Sequence, residues 1–462
     1  MTTTIFKGDS PKVETPGDLA RLFRSGEKPL KDWRIGTEHE KLGFSAASGH
    51  PLTYSGPGGI QDVLEQLRTR FGWNAVLEGE NMVALLRGQG SITLEPGGQF
   101  ELSGAVLESA HHTCVELAQH QKELEEISRE KGIIWLMLGR NPLVPTPDMP
   151  WMPKQRYALM RRYLPTRGDM ALDMMTGTAT VQTNIDYSDE SDMSRKLRAA
   201  MSVSPFLTAL FANSPFANGK PTGWLSERMH IWEHTDPDRS GFIPRVFAGD
   251  FGYDDYVHYA LDVPMFFIYR QGAYQDYGGR GFRDFLHHGL DGNAATEEDW
   301  ELHLTTLFPL VRLKKYLELR MTDVGPLNMI CALSALTRGL FYDKTALGEV
   351  LALVSRLRPE FYPVMQLEAA RIALRAEANG RPYREWCRDL LAIARAGLIR
   401  LNAVNAHGEN EAKFLDPLDE IVDSGLTQAE RLLAEYEGPW QRRMDRILSH
   451  APILFCPPES AG

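Results

Sequence analysis

The stretch RIGTEHEKLGF, residues 34–44, sets Glu38 and Glu40 two positions apart with His39 between them. In a strand the side chains alternate, so the two carboxylates share one face and His39 points to the other. Like charges about 7 Å apart on a pleated face raise one another's pKa unless a cation or open water relieves them. Three more segments repeat the pattern. SITLEPGGQFELSG, residues 91–104, puts Gln99, Glu101 and Ser103 on one face and presents Glu95 just before a Pro-Gly-Gly turn. TATVQTNIDY, residues 178–187, aligns Gln182, Asn184 and Asp186 against Val181, Thr183 and Ile185. KYLELRMTD, residues 315–323, gives Glu318 and Arg320 against Leu317, Leu319 and Met321.

Taken singly, each segment is accounted for by a half-exposed antiparallel strand with its polar side in water. Together they form an array of hard oxygen donors. Mg²⁺ takes such ligands and shares itself between protein carboxylates and substrate phosphates. Glu38, Glu40, Glu95, Glu101 and Glu318, with Arg320 two residues beyond the last, suit metal-complexed ATP and the charge of a phosphoryl group in transfer. Competing motifs fail on spacing. A zinc-protease HExxH beginning at His39 would need a histidine where Gly43 stands, and the glycine-rich run from Ser55 to Gly59 lacks the Gly-Lys-Ser/Thr end of a phosphate loop.

Working outward, the chain of 462 residues carries a net charge of −11, which opposes binding to polyphosphate backbones or anionic lipid. With 43% hydrophobic and 24% charged residues it has the make-up of a globular protein. Its apolar stretches, such as residues 133–138 and 265–269, fall short of the roughly 20 residues that cross a bilayer. Residues 1–9 lack the apolar core of a secretory signal, which gives the expectation of a cytoplasmic protein. Cys114, Cys331, Cys387 and Cys456 are scattered without CxxC spacing, so they read as buried or idle thiols, with a single redox bridge left open.

Up to residue 325 short alternating segments and Gly/Pro turns interleave with a few helices; from residue 326 the pattern turns helical, at 327–342, 344–356, 383–404 and 427–436. The expected organisation is an α+β core over residues 1–325 and a helical C-terminal part over 326–462, packed as one unit.

The stretches RIGTEHEKLGF, SITLEPGGQFELSGA, MPKQRYALMRRYLP, LTALFANSPFANGKP, YALDVPMFFIYR and HLTTLFPLVRLKKYLELR resemble the plant and proteobacterial type of glutamate–cysteine ligase, within the glutamine-synthetase-like carboxylate–amine ligases. The resemblance runs from about Trp33 to about Tyr436. It implies a curved antiparallel sheet with flanking helices whose concave face is the active site. It also implies an ATP- and Mg²⁺-dependent reaction that activates the γ-carboxylate of glutamate as an acyl phosphate and couples it to the amine of cysteine, in glutathione biosynthesis. By motif position, Glu38, Glu40, Glu95, Glu101 and Glu318 correspond to metal ligands, and Gln182 and Asn184 to a polar pair near the nucleotide. Arg198 and Arg270 match arginines suited to the amino-acid substrates, and Arg320, with Glu318, acts on the transferring phosphate. The implied partners are small molecules, with no nucleic acid or membrane, and the chain is a monomer or homodimer.

Several positions depart from the family pattern. An arginine is usual where Gly177 stands and a cysteine where Ala179 stands; residues 321–327 replace a Gly-Ala-Asp-Gly-Gly-Pro-Trp run, and Leu336, Thr337 and Arg338 replace Phe-Trp-Val. One reading is drift. The other is a paralogue joining glutamate or an analogue to a different amine, with the cavity enlarged at Leu327 and Thr337 and Arg338 pairing with an acceptor carboxylate.

Overall fold

A computed structural model describes residues 10–450 of the chain. Its centre is a nine-stranded antiparallel sheet that does not close on itself. The strands are β1 (Ile35–Ser45), β2 (Asn74–Glu78), β3 (Asn81–Arg87), β4 (Gly90–Leu94), β5 (Phe100–Ser103), β6 (Ile133–Leu136), β7 (Thr180–Ile185), β8 (Val311–Leu313) and β9 (Leu317–Asp323). Their order is β8-β9-β7-β1-β5-β4-β3-β2, and β6 pairs with the far end of β1. The four acidic segments thus become neighbours, as their shared pattern predicts.

Helices α1 (Pro16–Arg24), α2 (Ile60–Phe71), α3 (Ala110–Lys131), α4 (Glu190–Leu210), α5 (Glu227–Glu233), α6 (Leu327–Phe341) and α7 (Tyr383–Leu401) carry most of what the site depends on. Thr15 caps α1 in a reciprocal box with Asp18. Gly72 and Gly132 end α2 and α3 in the left-handed region, at φ 72° and 65°. Helices α3, α4 and α6 cover the face of the sheet away from the carboxylates, where His39 and Lys41 point. There Lys41 Nζ lies 3.1 Å from His120 Nε2 of α3, and burial lowers the lysine's pKa to about 7. Helices α6 and α7 touch through glycines: a Cβ on Gly397 would meet the Gly339 carbonyl oxygen at 2.2 Å.

The cysteine reading changes here. Cys114 on α3 and Cys331 on α6 form a disulfide across 217 residues of sequence, with Cα atoms 5.7 Å apart, and Cys387 is a buried free thiol. Sequence spacing could not pair them, because the partners meet only once both helices pack on the sheet; Cys456 lies outside the described residues. Closing so long a loop removes about 5 kcal/mol of unfolded-chain entropy by the loop-length relation. A Cys114→Ser/Cys331→Ser variant is therefore expected to unfold at lower denaturant concentration, and a midpoint equal to that of the unaltered oxidised protein would mean the bridge adds no stability. Among the described residues, no helix is long and apolar enough to cross a membrane.

Candidate functional site

Register decides which side chains meet. Across β1, Glu40 stands opposite Glu101 of β5, which stands opposite Thr93 of β4. Glu38 stands between Ser103 of β5 and Gln182 of β7, while Asn184 stands opposite Glu318 of β9 and Glu318 opposite Arg312 of β8. All these side chains belong to one face. A bulge between Leu319 and Thr322 slips β9 by one residue against β7, so that Asp323 comes opposite Thr180. The Asp323 carboxylate accepts from Asn213 N at 2.9 Å, Ser214 Oγ at 2.6 Å and Ser226 Oγ at 2.8 Å, which anchors the start of α5 beside the sheet.

A cleft opens on this face. Glu40, Glu95, Gln182, Arg228, Trp232 and Arg320 supply its polar and aromatic wall, and methionines 160, 174 and 175 with Phe308 supply the apolar one. Glu95 reaches the cleft because its turn is clamped. A Cβ on Gly97 would meet the Thr176 carbonyl oxygen at 2.2 Å, and the Gln99 amide donates to the carbonyls of Met175 and Thr178 at 3.1 and 2.9 Å. Glu95 Oε1 is buried without a hydrogen-bond partner. Burial pushes the Glu40 carboxyl well above its ordinary range, and Glu101 and Glu95 push it further.

The five carboxylates predicted as one metal cage are not equivalent. Glu40 and Glu95 line the cleft. Glu318 accepts two bonds from Arg312 Nη2 and one from Arg320, and lies 3.3 Å from Lys314 Nζ; these cations outweigh burial and hold its pKa well down. Glu38 accepts from Asn184 Nδ2 at 2.8 Å, and Glu101 accepts from the hydroxyls of Thr93 and Ser103. Among the described residues, no three His, Cys, Asp or Glu side chains are gathered as a metal-binding group. Close together and buried, these carboxylates take arginine, lysine, amide and hydroxyl partners.

Gln182 and Asn184 also part company. Gln182 Oε1 accepts from Arg320 Nη1 at 2.7 Å and faces the cleft, whereas Asn184 braces Glu38 and does not line the cleft. Neither Arg198 nor Arg270 lines it. Arg198 Nη2 reaches the Gly249 carbonyl at 3.5 Å, and Arg270 forms two bonds to the Asp299 carboxylate, at 2.6 and 2.5 Å. Arg270→Ala is accordingly expected to cost about 2 kcal/mol by leaving Asp299 buried without its cation, with the substrate KM values unchanged; a selective rise in an amino-acid KM would return Arg270 to the site.

Four residues escaped the sequence reading. Arg228 is 1% exposed, lines the cleft, and keeps Nε and Nη1 buried without partners, while its Nη2 donates to the Arg320 carbonyl at 2.9 Å. Burial lowers its pKa to about 10. Trp232 lies within 5.7 Å of both the Arg228 and Arg320 guanidinium carbons. Arg312 is the chief partner of Glu318, and Glu233 lines a second lobe. Arg312 was legible from the alternation of VRL, with Val311 and Leu313 on the other face; α5 spans 7 residues, too few for a readable period.

The departures from the family pattern lie mostly elsewhere. Arg338 is paired at 3.0 Å with Glu411, Thr337 donates to the Leu333 carbonyl within α6, and neither lines the cleft, nor does Leu327. At Gly177 the space a side chain would need is filled by the Arg140 guanidinium: a Cβ there would lie 1.4 Å from Arg140 Nη1.

Comparisons with known proteins agree with the sheet. Residues 34–450 match the family model described as glutamate-cysteine ligase family 2. The chain is 44% identical over 436 residues to a chloroplastic glutamate–cysteine ligase of Nicotiana tabacum, covering 94% of this chain and 82% of that one. It is equally 44% identical to glutamate–cysteine ligase B of Oryza sativa subsp. japonica, also chloroplastic, at 94% and 86% coverage. Among solved structures, a Francisella tularensis glutamate–cysteine ligase in complex with AMP superposes with TM-score 0.53 at 13% identity, covering 90% of this chain and 89% of that one. A bifunctional glutathione synthetase from Pasteurella multocida gives 0.51 at 14% identity, with 94% and 53% covered. Likeness at these identities speaks for the fold alone. The cytoplasmic expectation is corrected by the curated relatives, whose names point to a plastid.

Proposed function

The chain belongs to glutamate-cysteine ligase family 2, and from that premise we propose that the cleft joins the γ-carboxylate of glutamate to the amine of cysteine at the expense of ATP. The observation that carries the reading is the meeting, in one cleft, of Glu40 and Glu95 with Arg228 and Arg320.

A carboxylate is a poor electrophile at neutral pH, so amide formation needs a better leaving group. In the first step a γ-carboxylate oxygen forms a bond to the terminal phosphorus of ATP, and the bond from that phosphorus to ADP breaks. In the second the amine displaces phosphate from the acyl carbon. Arg320, oriented by Gln182 and Glu318, and Arg228, with Nε and Nη1 unpartnered, offset the negative charge between nucleotide and carboxylate. The methionines and Phe308 keep water from the acyl phosphate.

A divalent cation fits the donors in the cleft. Glu40 and Glu95 are hard oxygen ligands, one with an unpartnered oxygen, and Mg²⁺ is commonly held by one or two carboxylates plus substrate phosphates rather than by an all-protein cage. Bound there it would neutralise nucleotide phosphates. Glu38, Glu101 and Glu318 serve in this reading as the buried charged floor under the cleft, and the helices from residue 326 onward as support for the same catalytic unit, working as a monomer or homodimer.

The test is to incubate the protein with ATP, Mg²⁺, glutamate and a panel of amines including cysteine, and to identify products by mass spectrometry. γ-Glutamylcysteine, with ADP and phosphate, is the expected product; preferential use of another amine would remove cysteine from the assignment. The position of Thr337 and Arg338 away from the cleft supports cysteine over a different acceptor.

A further inference from the structure

Helix α5 carries Arg228 and Trp232, four residues apart, to the cleft. His230 and His234 repeat that spacing two residues further on, which turns them roughly 200° around the helix axis, away from the cleft. His234 closes the helix, its N–H donating to the Ile231 carbonyl at 3.1 Å. The two rings lie with centroids 4.6 Å apart and planes at 66°. Imidazoles bound to one ion through nitrogens about 2.1 Å from it have centroids roughly 5 Å apart, so these rings already stand at the separation a shared ion needs. The pairs His39–His120 and His287–His288 are wider, at 6.1 and 6.3 Å.

Each ring is held, and each offers one nitrogen. His230 lies flat on Trp224, with centroids 4.0 Å apart and planes within 9°. Its Nδ1 is buried without a partner, which leaves Nε2 as the nitrogen toward solvent. His234 Nδ1 lies 3.2 Å from Asp169 Oδ1. A carboxylate only accepts, so Nδ1 carries the hydrogen and Nε2 the lone pair. That is the arrangement in which a carboxylate orients a metal-binding histidine. The backbone fixes Asp169 in turn: Met170 N donates to the His234 carbonyl at 3.2 Å, and a Cβ on Gly168 would meet that oxygen at 2.2 Å.

We propose that His230 and His234 bind one divalent transition ion of the Zn²⁺ type through their Nε2 atoms, on the outer face of the helix whose inner face serves the cleft. Histidines at i and i+4 on one helix face are a recurrent zinc-binding pair. Imidazole suits Zn²⁺, Cu²⁺ and Ni²⁺, whereas Mg²⁺ takes carboxylate and water oxygens, so the pair does not compete for the ion assigned to Glu40 and Glu95. Among the described residues no third His, Cys, Asp or Glu completes a metal-binding group, so water fills the remaining positions. The ion ties the last turn of α5 to itself and, through Asp169, to the turn at residues 168–170. The site does not depend on the ligase reading.

The test titrates Zn²⁺ alone into the ligand-free full-length protein and, separately, adds Cu²⁺ at one equivalent for electron paramagnetic resonance. One bound Zn²⁺ that persists in Glu40→Gln is expected, with two imidazole nitrogens in the Cu²⁺ signal and slower amide hydrogen exchange along α5. His234→Asn is expected to abolish this binding, and Asp169→Asn to weaken it by about 10-fold. Absence of such an ion, full affinity in both His230→Asn and His234→Asn, or a Cu²⁺ signal without nitrogen would overturn the proposal. None of these outcomes touches the ligase reading, which stands or falls on γ-glutamylcysteine formation.

Discussion

Replacing Arg320 by lysine is expected to lower amide formation by about 1,000-fold while the protein stays folded. The guanidinium is fixed from two sides, by the Gln182 amide oxygen at 2.7 Å and by the Glu318 carboxylate, and its carbon lies 5.7 Å from the Trp232 ring centroid. Lysine keeps the charge but not the fork that can meet two phosphate oxygens at once. Glu318 keeps Arg312, with bonds of 2.6 and 2.9 Å, and Lys314, so the substitution strands no buried carboxylate. Single-turnover formation of ADP in the presence of glutamate reads the step directly. A rate within a few-fold of the unaltered protein would take Arg320 out of phosphoryl transfer.

Glu40→Gln is the second large effect, with ATP turnover expected to drop by at least about 100-fold. It is informative because activity and stability should move in different directions. In the ligand-free protein Glu40 resists ionisation because it is buried and, beyond that, crowded by Glu101 and Glu95. A group whose folded pKa lies above its unfolded value contributes stability that is fully present below the unfolded value and is lost as pH rises through the folded one. Ligand-free protein is thus expected to lose stability as pH climbs above the ordinary carboxyl range, and Glu40→Gln to lose less of it. Denaturant midpoints across that range check the sign. A variant with near-normal turnover, or one whose midpoint falls more steeply with pH than the unaltered protein's, would remove Glu40 from the role given to it.

The sheet was legible because its acidic residues recur at a spacing of two, a pattern that survives without tertiary knowledge. Glu38, Glu40, Glu101 and Glu318 were placed on one face by that alternation, and β1, β5, β7 and β9 do present them there. What each carboxylate does could not be read in the same way. The difference between Glu40, open to the cleft, and Glu318, held by Arg312, arises from a partner on another strand and from which part of the sheet the neighbouring helices leave uncovered. Arg270 shows the opposite failure. An arginine closing an apolar strand does need a buried partner, but the partner is Asp299, whose place beside it depends on the fold of residues 271–298. Arg228 and Glu233 had no local signal, since α5 is short and its orientation is set by Asp323 through Ser214 and Ser226.

The most direct measurement follows oxygen from glutamate to phosphate. Glutamate labelled with ¹⁸O in its γ-carboxylate is incubated with the protein, ATP, Mg²⁺ and cysteine, and the released phosphate is weighed by mass spectrometry. Activation as an acyl phosphate requires one labelled oxygen in each phosphate formed alongside γ-glutamylcysteine; phosphate free of label, with the peptide still produced, would contradict it.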